Sequence, residues 1–317
     1  MEYRRLGNAG IKLSALGLGG WTTFGESVTD LERAQRIIQA AYEGGINFFD
    51  IADAYARGRA EEVMGEILAA YSRHTLVIST KAYWPMSDDI NDRGLSRKHL
   101  TESIHKSLKR IGTDYVDIYF CHRHDPDTPV EEVVRTMDDL IHQGKVLYWG
   151  TSEWPAARIA EAVGISRQYG LNAPRVEQPQ YNLLVRNRVE QQVLPVAKEF
   201  GIGLTTFSPL ATGVLTGKYD QGIPDDSRFA RMDGLREHWM RDEVLERVRG
   251  LKTVADDLGI TRAQLALAWL LHRDGVSSVI TGATKVAHVE DNLGALDVSL
   301  TPELLARIDE IVEGAVS

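Results

Sequence analysis

Cysteine is almost absent from this sequence, since Cys121 is the only one among 317 residues. A single cysteine cannot form a disulfide within the chain, and it cannot supply a cysteine-rich zinc site. Proteins without disulfides are typical of reducing compartments. The sequence therefore predicts a cytoplasmic protein.

Long apolar segments are missing as well. The N-terminal stretch MEYRRLGNAGIKLSALGLGG has no continuous apolar run of signal-peptide length after its basic residues. The longest strongly apolar run, LALAWLL at Leu265 to Leu271, is much shorter than the ~20 residues that a membrane helix needs. We expect no insertion into a membrane.

The chain also lacks an excess of basic residues. Lys and Arg number 36 against 45 Asp and Glu, which gives a formal net charge of −9. Binding to a phosphate backbone requires clustered cations that this composition does not offer. We therefore expect no nucleic acid as a partner, while the 43% of hydrophobic residues provides for a large core.

Two common nucleotide-binding motifs are incomplete. Gly17 and Gly19 begin a G-x-G-x-x-G pattern, but Thr22 stands where the third glycine belongs, so there is no Rossmann fingerprint. The segment GVLTGKY is one residue too short for a P-loop and has Tyr219 where Ser or Thr would bind magnesium. A kinase or NTPase is disfavoured.

Eight short apolar segments alternate with segments of helical periodicity. The predicted strands are Leu16–Gly19, Ile46–Phe49, Leu76–Thr80, Tyr115–Cys121, Val146–Gly150, Arg175–Gln178, Gly203–Phe207 and Ser277–Thr281. The predicted helices are Asp30–Tyr42, Glu61–Tyr71, Arg97–Arg110, Pro129–Ile141, Ala156–Tyr169, Arg188–Phe200, Glu243–Leu258 and Val286–Ala295. Eight such repeats favour an α/β fold of the (β/α)8 or TIM barrel type over an open doubly wound sheet.

Additional segments accompany the eight repeats. The opening YRRLGNAGIKLSAL is typical of a β-hairpin that turns at Gly7, Asn8 and Gly10. A long connection, Leu210 to Met240, follows strand 7 and has the length of a lid or binding loop. Extra helices are expected after strand 7 and at the C-terminus. Because no linker divides the chain, we interpret residues 1–317 as a single domain.

Four chemically active side chains lie near strand ends. Asp50, Lys81 and His122 follow predicted strands 2, 3 and 4, and Tyr55 lies in the loop after strand 2; in a TIM barrel these ends meet at the catalytic mouth. An ammonium beside a phenol stabilises the phenolate and lowers its pKa from the ordinary value near 10. Tyr, Lys and Asp then form a general acid, while His polarises a carbonyl group. The set predicts carbonyl reduction.

Each of these residues has another explanation when it is taken singly. Asp50 is equally consistent with a cap of the next segment, and Asp53 is expected to be a turn or cap residue. Lys81 fits a solvated strand end, His122 fits a buried structural histidine, and Tyr55 fits a packed surface residue. Their coincidence at one mouth of the barrel is what favours catalysis.

The segment CHRHD, Cys121 to Asp125, suggests a rival function. His-x-His at a strand end is an arrangement of metal-dependent hydrolases, but a working site needs ligands from other strands. The remaining histidines fall in predicted helices or connections, and none closes a strand. We therefore predict no metal site.

The loops after strands 7 and 8 are suited to phosphate. The first contains small residues with Lys218 and Arg228, and the second brings Gly282, Thr284 and Lys285 to a helix N-terminus. TIM barrels often bind phosphate with these two loops, through backbone N–H groups and helix N-termini. A dinucleotide pyrophosphate would fit there, although Lys218, Arg228 and Lys285, each taken singly, are better explained as solvated surface cations.

Several motifs together are similar to one known family. Nearly the whole chain resembles the aldo-keto reductase superfamily, and within it the branch of voltage-gated potassium-channel β subunits and their plant and bacterial relatives. The similar segments are YRRLGNAGIKLSALGLGGWTTFG, FFDIADAYARGRAEEVMG, GLSRKHL, DYVDIYFCHRHDPDTPVEE, YWGTSEW, EQPQYN, FSPLATGVLTGKYDQGIP and VSSVITGAT.

The resemblance implies NADPH-dependent reduction of a small aldehyde or ketone. In that reaction Tyr55 is the acid, Lys81 lowers its pKa, Asp50 pairs with Lys81, and His122 orients the carbonyl. The resemblance further implies cofactor contacts from Trp21, Asp50, Ser152, Gln178, Phe207, Ser208, Pro209, Leu210, Ala211, Lys218, Arg228, Gly282, Thr284, Lys285, His288, Asp291 and Asn292. We also expect an aromatic-walled substrate pocket, with core packing as the alternative, from Trp21, Phe24, Tyr83 and Trp84.

Some positions depart from the animal channel subunits. Those proteins carry Asn where His122 stands, Arg where Glu153 stands and Gln where His288 stands, and the first difference favours a working reductase. A second function stays open, an NADPH-binding regulatory or accessory subunit that docks on a membrane channel. The resemblance also implies a homo-oligomer, a tetramer or larger.

Overall fold

Eight parallel strands close into a barrel in the computed structural model, which describes residues 1–225, 227–231, 234 and 236–313. The barrel strands are β3 (Leu16–Gly19), β4 (Phe48–Asp50), β5 (Val77–Ala82), β6 (Val116–Cys121), β7 (Val146–Ser152), β8 (Val176–Gln178), β9 (Gly203–Thr206) and β10 (Val276–Thr281). Closure occurs where β10 pairs with β3, with Thr281 beside Leu18. The predicted (β/α)8 barrel is confirmed.

The predicted N-terminal hairpin is confirmed and closes one end of the barrel. Strands β1 (Tyr3–Arg5) and β2 (Lys12–Ser14) pair antiparallel, and Leu13 of β2 and Leu6, directly after β1, pack with side chains of the barrel interior. Gly7 has a φ of 53°, and a Cβ atom there would lie 2.2 Å from the carbonyl oxygen of Gly201. Only glycine permits this close approach of the hairpin to the barrel.

Helices surround the barrel and bury their apolar sides against it. They are α1 (Leu31–Glu43), α2 (Arg59–Leu68), α3 (Arg97–Ile111), α4 (Val130–His142), α5 (Ala156–Tyr169), α6 (Leu194–Phe200), α7 (Arg228–Arg231), α8 (Arg236–Trp239), α9 (Asp242–Leu258), α10 (Arg262–Leu271), α11 (Val286–Leu293) and α12 (Pro302–Val312). The extra helices expected after the seventh barrel strand and at the C-terminus are thus present. Helix α1 shows the common pattern, because Ala34, Ile37, Ile38 and Ala41 recur at helical spacing and are buried.

The long connection predicted at Leu210 to Met240 contains short helical segments. A 3-10 turn spans Ala211–Thr216, and α7 and α8 follow. The Phe229 ring of α7 is buried and stacks on Tyr219, with ring centroids 4.4 Å apart. Part of this connection lies outside the described residues, namely Asp226, Met232, Asp233 and Leu235.

The interpretation of residues 1–317 as one domain stays a prediction, and its last four residues, 314–317, also lie outside the described part. Within the described residues, no helix is both long enough and apolar enough to span a membrane.

Candidate functional site

A buried ion pair lies inside the barrel near the C-terminal ends of the strands. Lys81 of β5 donates from Nζ to Oδ2 of Asp50 on β4, at 2.6 Å, and neither side chain is exposed by more than 3%. The other carboxylate oxygen of Asp50 accepts from the Ser79 hydroxyl at 2.7 Å and from Nε2 of Gln178 at 2.9 Å. The pair therefore ties together three strands, with Gln178 contributed by β8.

The Tyr55 hydroxyl lies next to this pair. The Lys81 ammonium donates to it at 3.1 Å and to the Ile51 carbonyl oxygen at 2.7 Å. Tyr55 opens a tight turn in which Ala56 and Arg57 have positive φ angles of 47° and 53°. Residues with a Cβ atom rarely adopt this left-handed conformation, so the surrounding structure holds the turn in a strained shape.

Burial has the largest effect on the pKa of Tyr55. It raises the pKa of Tyr55 above the ordinary value, and the Lys81 ammonium opposes it without cancelling it. The expected net lowering of the Tyr55 pKa therefore does not occur in the protein alone. Burial lowers the pKa of Lys81, but the Asp50 carboxylate and Tyr55 outweigh that effect and raise it. Lys81 is therefore a cation and Tyr55 a neutral phenol at neutral pH.

His122, directly after β6, faces Tyr55 edge-on, with ring centroids 5.7 Å apart. Burial lowers the pKa of His122 well below the ordinary value, and the charges of Lys81 and Arg123 lower it further. Its Nδ1 atom is buried and has no hydrogen-bond partner among the described residues. The imidazole is therefore neutral at pH 7, and it retains one N–H that can donate to a ligand.

A cavity of about 250 Å³ lies above these groups. Four of the predicted site residues that line it are Tyr55, His122, Ser152 and Gln178, which come from four different strand ends or loops. Its complete lining is Trp21, Glu26, Ala54, Tyr55, Ala56, Trp84, His122, Arg123, Ser152, Gln178 and Phe207. Two members of the predicted catalytic set, Tyr55 and His122, thus line one cavity together with four of the predicted cofactor residues, Trp21, Ser152, Gln178 and Phe207.

The four aromatic residues predicted for a substrate pocket do not behave alike. Trp21 and Trp84 line the cavity and are partly exposed. Phe24 is completely buried in the hydrophobic core, and Tyr83 packs edge-on against Trp84 with ring centroids 5.2 Å apart. Neither Phe24 nor Tyr83 is among the residues that line this cavity.

The loop after β9 has an unusual backbone. Ser208, Ala211 and Thr212 have positive φ angles of 53°, 48° and 57°. A Cβ atom at Gly213, whose φ is 97°, would lie 2.8 Å from Nζ of Lys218. Left-handed residues and close backbone approach are common where main-chain groups approach a ligand.

The predicted cofactor residues after β10 form a second group. Lys285 is the N-cap of α11, and the Thr284 backbone N–H donates to Nδ1 of His288 at 3.3 Å. Burial lowers the pKa of His288, and the charges of Lys285 and Lys218 lower it further. Lys218 and Lys285 therefore both act on the charge of His288, although they belong to the loops after β9 and β10.

Other predicted cofactor residues are distributed around this group. The Arg228 guanidinium lies 5.4 Å from the ring centroid of Trp21. This contact joins the connection after β9 to the cavity, because Trp21 lines the cavity. Asp291 accepts a hydrogen bond from the Thr261 hydroxyl of the α10 N-cap at 3.1 Å, and Asn292 is buried. Pro209, Leu210 and Gly282 contribute backbone to the same two loops.

Asp53 has a different environment from the one expected for a turn residue. Its side chain is completely buried and accepts a hydrogen bond from Ser103 of α3 at 2.8 Å. Burial raises the pKa of Asp53 to about 7, with Glu61 adding to the shift. The residue does lie in the turn after β4, but its carboxyl group packs behind the Tyr55 loop.

The CHRHD segment does not bring its two histidines together at the cavity. His122 lines the cavity, whereas His124 packs edge-on against Trp154, with ring centroids 5.1 Å apart. Within residues 1–225, 227–231, 234 and 236–313, no group of three or more His, Cys, Asp or Glu side chains is arranged to hold a metal ion.

A larger groove of about 630 Å³ lies elsewhere. It runs between the ends of α2 and α3 and includes Leu76 and Tyr115, which directly precede β5 and β6. It is therefore at the N-terminal end of the barrel strands, where TIM barrels carry stabilising rather than catalytic residues. None of the predicted site residues lines it.

The sequence model of the Aldo/keto reductase family matches residues 15–313, which include the whole barrel and every predicted site residue. The chain belongs to the aldo/keto reductase family. Members of this family are oxidoreductases that generally use a nicotinamide cofactor and act on small carbonyl compounds.

Similar proteins within the aldo/keto reductases carry channel-related names. A protein of Arabidopsis thaliana named "Probable voltage-gated potassium channel subunit beta" is 49% identical over 99% of this chain and 97% of its own length. A rice protein of the same name is 48% identical over the same shares. A "Putative voltage-gated potassium channel subunit beta" of Schizosaccharomyces pombe is 43% identical over 98% of this chain and 93% of its own length.

Two charged residues of this aldo/keto reductase cavity, Glu26 and Arg123, were not predicted. Glu26 lies in the loop after β3, and Arg123 directly follows His122. The signal for Arg123 was present in CHRHD, because a residue beside a strand-end histidine reaches the same mouth. Nothing in the sequence indicated that the chain after Trp21 would turn Glu26 toward the cavity.

Proposed function

We propose that this chain is an NADPH-dependent reductase of aldehydes and ketones in which Tyr55 is the general acid. The observation that carries the proposal is the contact of the Tyr55 hydroxyl with the buried Lys81–Asp50 pair at the floor of the cavity. When bound, the cofactor would supply the hydride that adds to the carbonyl carbon. The protein must then supply a proton to the carbonyl oxygen.

Tyr55 is suited to that task. Because burial keeps its phenol neutral, the proton is present when a carbonyl compound arrives. Once the proton has moved to the substrate oxygen, the phenolate lies 3.1 Å from the Lys81 ammonium, which stabilises the new negative charge. Asp50 holds the ammonium in place through the 2.6 Å ion pair.

His122 would orient the carbonyl group. A neutral imidazole donates a hydrogen bond without adding a positive charge beside Lys81, and its low pKa keeps it in that form. With Tyr55 and His122 facing each other across 5.7 Å, one carbonyl oxygen can lie within reach of both side chains.

Ser152 and Gln178 fit the carboxamide end of a nicotinamide. The Ser152 hydroxyl donates its proton to the Gln178 carbonyl oxygen at 2.9 Å, which leaves its oxygen as an acceptor. The Gln178 amide nitrogen donates to Asp50, which leaves its side-chain oxygen as a second acceptor. A carboxamide NH2 group needs two acceptors of this kind.

The loops after β9 and β10 fit the phosphates of the same cofactor. The left-handed backbone after β9, the α11 N-terminus and the charges of Lys218 and Lys285 all favour anionic groups. An additional 2′-phosphate favours nearby cations. Lys285 and Arg228 are the residues on which we base the preference for NADPH over NADH.

A second candidate function is an NADPH-binding accessory subunit of a membrane channel. It is supported by the names of the plant and fission yeast relatives. The neutral His122 beside Tyr55 favours turnover, because a sensor that only binds cofactor has no need of a carbonyl-orienting group. The cytoplasmic location and the homo-oligomer are further proposals that rest on the sequence alone.

Turnover distinguishes the two candidates. Purified protein is mixed with NADPH and a panel of neutral aldehydes and diketones, and the absorbance of the reduced cofactor is followed. We expect oxidation of NADPH with at least several panel members, and a higher KM for NADH. Tight binding of NADPH with no oxidation by any panel member would remove the reductase proposal and favour the accessory subunit.

A further inference from the structure

The unexplained feature of the cavity is Arg123, which the proposed reduction does not use. Its guanidinium lines the cavity and lies 5.5 Å from the ring centroid of Trp84. Its Nη1 atom donates to the His122 carbonyl oxygen at 2.5 Å and lies 3.5 Å from the Ser152 hydroxyl. In the described part of the chain this side chain forms no ion pair with a carboxylate.

Arg123 is close to the reacting groups. Its charge is one of the causes that lower the pKa of His122, and it opposes the effect of burial on Tyr55. Trp84 contacts both side chains, since its ring centroid is 6.2 Å from that of His122 and 5.5 Å from the Arg123 guanidinium. A short substrate held at Tyr55 and His122 would therefore share one cavity with the Arg123 guanidinium.

Two other charged groups lie at or near the cavity, namely the Lys81–Asp50 pair and Glu26. Lys81 and Asp50 neutralise each other within their ion pair. Glu26 is exposed at the cavity, and its charge acts on Arg228, where it opposes the lowering of the Arg228 pKa by burial. Arg123 is therefore the one cationic side chain among the described residues that line the cavity, and the one anionic side chain of the lining, Glu26, is exposed and acts on Arg228.

We propose that Arg123 binds the carboxylate of the substrate, so that short oxo acids are the preferred substrate class of this site. A planar guanidinium held on an aromatic ring presents two parallel N–H groups to a carboxylate, and such a pair is stronger than a neutral hydrogen bond. The inference rests on the proposed reductase function and adds to it the chemical class of the substrate. Because Ser152 and Gln178 of the same lining are proposed to hold the nicotinamide, only part of the cavity of about 250 Å³ is left for the substrate, which favours a short one.

The test compares each oxo acid with its own methyl ester. Glyoxylate and 4-oxobutanoate are measured against methyl glyoxylate and methyl 4-oxobutanoate, so that the aldehyde group is kept and the carboxylate charge is removed within each pair. We expect kcat/KM for at least one acid to exceed that for its ester by about ten-fold or more, the value of one charge-assisted hydrogen bond. Equal values in both pairs would overturn the proposal while leaving the reductase function intact.

Variants of Arg123 assign the selectivity to this residue. Arg123→Met should bring the acid-to-ester ratio of kcat/KM close to one. Arg123→Lys should retain part of the preference, because it keeps the charge but not the two parallel N–H groups. Arg167→Met is the matched control, since it also removes a guanidinium stacked on an aromatic ring, that of Phe200 at 4.9 Å, but on the outer helix α5. An unchanged ratio in Arg123→Met, or an equal loss in Arg167→Met, contradicts the proposal.

Binding supplies a readout that does not depend on turnover. Oxamate and its neutral ethyl ester are titrated into the cofactor-loaded protein, and the fluorescence of the cavity tryptophans is followed. We expect oxamate to bind at least ten-fold more tightly than the ester in wild type and equally weakly in Arg123→Met. If oxamate binding depends on Arg123 but no substrate is turned over, the reductase function alone is refuted. If oxamate binds equally tightly to wild type and Arg123→Met, the carboxylate site is refuted.

Discussion

The Lys81 ammonium lies 2.6 Å from the Asp50 carboxylate, and both side chains are shielded from solvent inside the barrel. A buried charge is costly unless its partner is present. The pair therefore has two roles, since it keeps a cation beside the Tyr55 hydroxyl and it satisfies two charges that the fold has removed from water.

Removal of one partner should destabilise the protein strongly. Lys81→Met leaves the Asp50 carboxylate buried without its cation, so we expect the free energy of unfolding to fall by about 3 kcal/mol or more. Urea denaturation at pH 7 measures the change. The double variant Asp50→Asn/Lys81→Met removes both charges and should recover a large part of the loss without recovering reductase activity. A loss below about 1 kcal/mol in the single variant would contradict this role.

Asp53 should make stability depend on pH. Its folded pKa of about 7 lies above its ordinary value of 3.8, so the folded state retains a proton that the unfolded state has released. This contribution is complete below pH ~4, and it is lost as the pH rises toward the folded pKa. Asp53→Asn cannot ionise, and at about 1.4 kcal/mol per pH unit between pH 5 and the folded pKa it should gain roughly 2.5 kcal/mol relative to wild type between pH 5 and pH 8.

Urea denaturation at the two pH values measures this relative gain. The exposed Asp114, changed to Asn, is the control and should follow wild type at both pH values. If Asp53→Asn and wild type have the same pH dependence, the buried carboxyl group is ionised in the folded protein and the proton assignment is wrong.

His122 should stay neutral through the physiological range. Because burial, Lys81 and Arg123 all lower its pKa, protonation should begin only well below pH 6.5. The histidine ring-proton signal that His122→Asn removes from the NMR spectrum identifies this residue. We expect that signal to keep its chemical shift from pH 8 to pH 5.5. Titration with a midpoint near 6.5 would mean that the imidazole is solvated or paired with an anion.

Gly58 should be required for the position of Tyr55. It closes the strained turn with a φ of 90°, and a Cβ atom there would lie 2.8 Å from the Arg110 side chain. Gly58→Ala should therefore cost about 1–3 kcal/mol of stability and reduce kcat. Gly112→Ala is the matched control, because Gly112 also has a positive φ, of 75°, but has open space around it. Equal kcat values in the two variants would mean that Gly58 is not required to position Tyr55 for the reaction.

The barrel could be predicted because its signals are local. Each strand is a short apolar run, and each helix has apolar residues at helical spacing, so neither needs knowledge of distant contacts. The predicted and observed strand ends differ by a few residues where the strands end in polar residues. Asp50 and Lys81 were predicted to follow β4 and β5 but are hydrogen-bonded within them, since the barrel interior provides a partner for each charge.

The environment of several polar residues could not be predicted, because it depends on residues far away in the chain. Asp53 becomes buried only when Ser103, fifty positions later, packs against it from α3. Glu26 and Arg123 reach the cavity through loop geometry, whereas Phe24 is turned into the core by the same loop. A propensity or a motif does not contain this information, so single residues in loops were the least predictable part of the site.

The most direct test of the central proposal, that Tyr55 donates the proton in carbonyl reduction, compares Tyr55→Phe with wild type in single-turnover reduction of a neutral aldehyde by bound NADPH. Tyr42→Phe, which removes a phenol that contacts Thr75 on the outside of the barrel, is the control. We predict that Tyr55→Phe lowers the rate by about 10²–10⁴-fold while NADPH affinity stays within about three-fold of wild type. Reduction by Tyr55→Phe at the wild-type rate would contradict the assignment of the general acid.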